Sequence, residues 1–245
     1  MQKAGRIAGS LKRFLLSALV FFLPSQLAYH FWPEFSHVFG IRVDYLAPAI
    51  YLTDIFIVSL FVLWLLGKPK ISKGLIVWAI ALGLLAFLNT FFAQNGGAAV
   101  YKWIKVFELI FLGYYVYSIK IVNLMKVLLK PLLLSLVFFS FLGILQFLNQ
   151  GTLGGVAYLF GERSFSVATP GIALFEIGGG QYLRPYSTFS HPNSLAGFLG
   201  VALIVMVSLW KKLAFLKWLV LLLLFVALGL TFSSGAYLGL IIVGF

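Results

Sequence analysis

Apolar residues come in runs of about twenty, broken by short polar intervals, and this rhythm organises the chain. A helix crossing the hydrocarbon core of a bilayer needs about 20 mostly apolar residues. Such segments fall at 14–30, 46–66, 74–93, 100–119, 127–149, 193–210 and 215–232, and an eighth begins at 235–245. The last run ends in Ile241-Ile-Val-Gly-Phe245 with no cap or polar tail, so the sequence reads as the front part of a longer protein. The pattern predicts an all-α fold: a polytopic transmembrane helix bundle of about seven full helices plus the start of an eighth, in one transmembrane domain. The interval 150–192 is too long for a connector and too rich in glycine for a packed domain. Within it, Ile172–Ile177 and Gln181–Arg184 flank Gly178-Gly-Gly180, which predicts a β-hairpin.

Composition agrees with this pattern. The 245 residues are 62% hydrophobic and 10% charged, with a mean hydropathy of +1.06, which excludes a soluble domain. There is no cysteine, so disulfides and thiolate metal sites are excluded. His30, His37 and His191 are scattered without ligand spacing, and no metal or other cofactor is expected. A net charge of +12 invites a nucleic-acid reading, but the placement of the positives argues for topology instead. Lys3, Arg6, Lys12 and Arg13 precede the first segment. Lys68, Lys70 and Lys73 follow the second, Lys120, Lys126 and Lys130 follow the fourth, and Lys211, Lys212 and Lys217 follow the sixth. Arg42, Lys102, Lys105, Arg163 and Arg184 fall on the other side, with all six acids in external loops or outer helix halves. By the positive-inside rule the N-terminus is cytoplasmic, and 31–45, 94–99 and 150–192 face outward. The first apolar run lacks a small-x-small cleavage site, because Gln26 is the third residue before a cut placed after Ala28; it reads as an uncleaved signal anchor.

Polar groups inside such spans are costly, so each needs a partner, a wet cavity or a function. Asp54, in Tyr51-Leu-Thr-Asp, is placed about eight residues into the second segment, roughly 12 Å of helix rise. Lys102, Lys105 and Glu108 recur every three residues and share one face of the fourth. Asp54, Lys105 and Glu108 are therefore expected to line one outward-open polar pocket, or else to form an ion-pair cluster that fixes helix packing, while Lys102 can snorkel. The stretch Arg184-Pro-Tyr-Ser-Thr-Phe-Ser-His-Pro-Asn193 opens the sixth helix. Ser190 is suited to cap it and Pro192 to its first turn. A helix N-terminus favours anions, and the forks of Arg184 and Arg163 suit phosphate oxygens. The alternative is a capped helix start with an interfacial arginine.

Arg184-x-x-x-Thr-Phe-x-His-Pro-Asn193-x-Leu-Ala resembles the signature of the O-antigen ligase and polymerase superfamily of bacterial inner-membrane proteins. Tyr51-Leu-Thr-Asp54, the Lys102-x-x-Lys105-x-x-Glu108 face and Thr231-Phe-Ser-Ser-Gly-Ala-Tyr-Leu-Gly239 are similar to further elements of that family, in the same order. The resemblance implies transfer of a glycan from a polyprenyl-diphosphate carrier to a glycan, lipid A core or protein acceptor on the periplasmic face. Arg184, Lys105, Glu108 and Asp54 would be catalytic. Arg184, Arg163, Lys102, Lys105 and Asn193 would hold the diphosphate, with His191 and Ser234 as further candidates. Ser234 stands where the family often has arginine, and Ser187 where glycine is common. The family's histidine base belongs to a late periplasmic loop, expected beyond Phe245. Membrane lipid is an expected partner; nucleic acid is not. A transporter or flippase of lipid-linked glycans is the rival reading, and a scaffold without chemistry a weaker one. Internal repeats and midplane helix breaks would mark a transporter.

Overall fold

The computed structural model describes residues 2–44, 46–119, 121–208 and 216–243, leaving aside the side chains of 2–7, 121–123, 126, 216 and 217. The cationic side chains of Lys3, Arg6, Lys120, Lys126, Lys211, Lys212 and Lys217, together with Trp210 and the terminal Phe245, thus lie outside what is described. The chain is mostly helical, 66% helix against 9% strand, so a strictly all-α reading needs correcting for short strands. Eight α-helices are present among the described residues: α1 (Gln2–Phe22), α2 (Leu52–Leu66), α3 (Lys73–Phe92), α4 (Gly96–Tyr117), α5 (Ile121–Asn149), α6 (Pro192–Ser208), α7 (Leu216–Leu230) and α8 (Ser234–Val243). Two stretches are long and apolar enough to cross a membrane, Lys73–Phe92 and Val127–Asn149. Only 6% of the first is buried, and Trp78, Phe87 and Phe91 point their rings outward, as a lipid-facing helix would.

The chain divides into two compact units, residues 1–19 with 28–127, and residues 20–27 with 128–245. In the first, β1 (Ala28–His30) pairs antiparallel with β4 (Ala49–Tyr51), His30 opposite Ala49. Two boundaries predicted from hydropathy move for this reason. The first helix ends at Phe22 rather than running to residue 30, because Pro24 cannot continue it and Ala28–His30 enter a strand. The second helix starts at Leu52 rather than 46, because Ala49–Tyr51 are the partner strand. Between them, β2 (His37–Val38) and β3 (Ile41–Arg42) form a small hairpin turned by Phe39 and Gly40, both at positive φ. That double left-handed turn matches the twist of the flanking strands. Asn95 caps α4, its Oδ1 accepting from the Ala98 N–H at 2.9 Å, and its Nδ2 donates to the Phe35 carbonyl. Gly97 lies under the Phe35 ring, where a Cβ would come within 2.5 Å of it.

In the second unit α6 packs on α7 and α8. Leu195, Leu199, Leu203, Val220, Leu224 and Leu228 form a fully buried seam. Repeats at i, i+4 and i+8 put these leucines on one stripe of each helix. The interval 150–192 is no loose loop. It carries a 3₁₀ turn at Gly155–Phe160 and the hairpin of β5 (Leu174–Ile177) and β6 (Gly180–Leu183), turned by Gly178 and Gly179 at positive φ.

Candidate functional site

α6 starts at Pro192, which needs no N–H there. His191, not Ser190, supplies the cap: its Nδ1 accepts from the Asn193 N–H at 3.1 Å. Ser190 instead offers its carbonyl to Arg163 Nη2 at 2.9 Å. Burial, and after it the charge of Arg184, hold the His191 imidazole below its ordinary pKa. With Nδ1 accepting, the ring proton sits on Nε2, so in this form His191 donates outward and is not a base.

Arg184 follows β6 directly and reaches across to the turn before α8. Its Nε donates to the Thr231 carbonyl at 2.6 Å and its Nη2 to Asn193 Oδ1 at 2.6 Å. Both acceptors are neutral, and among the described residues no carboxylate pairs with this guanidinium. Two of its five N–H donors are used, leaving three. The side chain lines a recess of about 410 Å³ shared with Asn193, Gly197, Ser233, Ser234 and Gly235. That is within the range of small-ligand sites, about 300–1,000 Å³. The first turns of α6 and α8 both contribute to its wall, and the leading N–H groups of a helix have no intrahelical acceptor. The recess thus gathers one unneutralised cation and two positive helix ends, an anion-binding arrangement. Phe232, at φ +49°, forms its lip and stacks on Phe175 of the hairpin with ring centroids 3.6 Å apart.

The segment 150–192 is held in place by groups that sequence reasoning did not single out. Gln146, fully buried in α5, donates to Glu162 Oε1 at 2.7 Å and to the Ser187 carbonyl at 2.8 Å. Its Oε1 accepts the Tyr186 and Ser187 N–H groups. Buried Glu162 also accepts from the N–H groups of Leu153 and Gly154. Every hydrogen-bonding position of the Gln146 amide is filled. Ser187 sits at φ +51°, a backbone that glycine adopts freely, and its hydroxyl donates to the Phe139 carbonyl at 2.8 Å. The Tyr186 hydroxyl accepts the Ala173 N–H, fastening the base of the hairpin to the segment that leads into α6. A lone glutamine within a 23-residue apolar run was the available signal.

In the first unit, Asp54, Lys105 and Glu108 do come together. Lys105 Nζ is ion-paired with Asp54 Oδ2 and lies 3.4 Å from Glu108 Oε2. Asp54 is not deep in a helix as the hydropathy pattern suggested. It occupies the first turn of α2, where its Oδ2 also accepts the Tyr51 N–H at 2.7 Å. The rings of Tyr51 and Tyr101 flank the Lys105 ammonium at 5.5 and 5.4 Å. These groups lie at one side of a mainly apolar cleft of about 500 Å³ walled by Phe31, Ile50, Ile55, Val58 and Ile104. One cation faces two carboxylates, so the cluster is charge-saturated.

Lys102 and Arg163 do not join these groups. Lys102 is exposed and makes no ion pair among the described residues. Arg163 lies over the Phe165 and Tyr186 rings and does not line the Arg184 recess. Ser234 does line that recess, as the first residue of α8. No protein-family model matches the chain, and no curated protein or solved structure does either.

Proposed function

We propose that this chain is a multi-pass protein of the bacterial inner membrane, of the O-antigen ligase and polymerase kind, that transfers a glycan from a polyprenyl-diphosphate carrier to an acceptor on the external face. The observation that carries the reading is Arg184: a cation with no counter-charge, held by two neutral acceptors in a recess bordered by two helix N-termini. A diphosphate is the ligand that such a recess suits. The lipid-borne nature of the donor is supported by two stretches apolar enough to cross a bilayer and by the outward rings of α3. Seven spans, with the N-terminus inside, are the topology that the charge distribution favours.

In the reaction, an acceptor hydroxyl oxygen forms a bond to the anomeric carbon of the donor glycan. The bond from that carbon to the phosphate oxygen breaks, and its electron pair leaves on the polyprenyl diphosphate. The hydroxyl proton goes to a general base. The leaving diphosphate gains charge as the bond breaks, so a preorganised cation lowers the barrier. Arg184 supplies it, Asn193 orients the guanidinium, and Ser234 adds a hydroxyl at the mouth. The Asp54–Lys105–Glu108 cluster is charge-saturated and is not counted among the phosphate ligands.

The test is transfer of glycan by the full-length protein in membranes supplied with lipid-linked donor. Arg184→Ala should lower transfer by about 10²–10³-fold with the protein still inserted, as loss of one preorganised donor typically does. Wild-type transfer in that variant would sink the assignment. In the same cells, lipid-linked glycan should still reach the outer face. Its failure to appear there would favour the transporter reading instead.

A further inference from the structure

The first unit holds another recess, of about 320 Å³, with no acid among its lining residues. Lys12 and Arg13 of α1 give it two cations, Tyr115 of α4 a hydroxyl, and Leu16, Ile119 and Val127 an apolar wall. Lys12 is half-buried, yet among the described residues no carboxylate pairs with it. Its ammonium lies beside Gly67, at the carbonyl end of α2, whose partial negative charge offsets only part of a full cation. Arg13 makes one hydrogen bond, to Ser10 Oγ at 3.3 Å. Tyr115 is 7% exposed, and its hydroxyl has no hydrogen-bond partner among the described residues.

Two cations without a counter-charge and a phenol without a partner thus line a small cavity whose remaining wall is hydrocarbon. Ammonium, guanidinium and phenol together suit a phosphate, the guanidinium through its fork. The apolar wall suits an attached acyl chain. Basic pockets between membrane-crossing helices are where anionic lipid headgroups dock. We propose that this recess binds the phosphate headgroup of an anionic phospholipid, with an acyl chain along Leu16, Ile119 and Val127. The inference rests on the membrane reading above, and is independent of glycan transfer.

The test titrates the purified full-length protein, in neutral detergent, with phosphatidylglycerol, phosphatidylcholine or inorganic phosphate. Thermal midpoint and lipid retained in native mass spectra are the readouts. Phosphatidylglycerol should bind and raise the midpoint, and phosphatidylcholine should do neither. The double variant Lys12→Ala/Arg13→Ala should weaken phosphatidylglycerol binding roughly 30-fold, from about 1 kcal/mol per basic residue. Tyr115→Phe removes only an unpartnered hydroxyl, so it reads the site without a folding risk and should cost about fivefold. Lys68→Ala/Lys70→Ala removes the same charge from exposed positions outside the recess and should stay within about threefold. Equal effects of the two lipids, an equal loss in that control, or an unchanged Tyr115→Phe would overturn the proposal. Displacement of phosphatidylglycerol by millimolar inorganic phosphate would reassign the recess to free phosphate and overturn it as a lipid site.

Discussion

Lys105 and Arg184 are the cations at the centre of the two units' polar sites, and they are neutralised in opposite ways. Lys105 meets two carboxylates and two tyrosine faces, so its charge is spent within the protein. Arg184 meets a carbonyl and an amide oxygen, which fix its direction without cancelling its charge. The first arrangement holds helices α2 and α4 in register. The second leaves an oriented positive charge unneutralised. A charged residue inside an apolar sequence is therefore an ambiguous sign. Its partners decide whether it serves packing or binding.

Substitutions can break that contrast, and the largest effect is expected in activity. Arg184→Ala should cost about 10²–10³-fold in glycan transfer, whereas Lys105→Met should cost less than about tenfold once corrected for folded protein. Similar losses in both would erase the distinction. Next in size is Gln146→Leu, which orphans two buried N–H groups and a carbonyl. It should destabilise the second unit by at least about 3 kcal/mol, seen as a lower midpoint in denaturation of the purified protein. Lys105→Met leaves two carboxylates facing each other and should cost about 2–3 kcal/mol, while adding Asp54→Asn to it should restore part of the loss. Strict additivity in that double-mutant cycle would mean the pair is not coupled.

The smallest effect concerns pH. His191 has a folded pKa below its unfolded value of about 6.5, so the cap contributes fully above pH 6.5. It is lost as pH falls through the lower folded value, because a protonated Nδ1 cannot accept the Asn193 N–H. The cap should be worth about 1 kcal/mol, and His191→Asn should keep it while removing its dependence on pH below about 6.5. Hydrogen exchange at the Asn193 amide, followed from pH 7 to pH 5, measures this directly. Exchange as pH-dependent in His191→Asn as in the native chain would rule the cap out.

Local chemistry made several elements legible. Three consecutive glycines between β-prone residues mark the hairpin, and the i, i+3 spacing of Lys105 and Glu108 puts them on one face. Asp54 was also assigned the right neighbours but the wrong depth. Hydropathy sees Ala49–Tyr51 as more helix, and only their pairing with Ala28–His30, about twenty residues away, shows that α2 starts later. The same non-local pairing hides the end of α1. Lys102 shares the face of Lys105 in a helical projection, yet it carries no carboxylate opposite it, and one turn of helix is enough to leave it in solvent. The packing of 150–192 escaped because its glycine content signals flexibility, whereas its order comes from one amide and one carboxylate contributed from outside the turns.

Gln146 also sets an order of events during synthesis. Its partners, Glu162, Tyr186 and Ser187, are 16, 40 and 41 residues further along the chain. At about 5–20 residues per second, α5 is complete for roughly 2–8 s before the last of them leaves the ribosome. Throughout that interval an amide with four unmet hydrogen bonds sits in the helix, and a hydrocarbon environment would charge heavily for it. Burial of α5 therefore follows the arrival of the Tyr186–Ser187 segment. Arg184, two residues before Tyr186, is fixed in place with that segment.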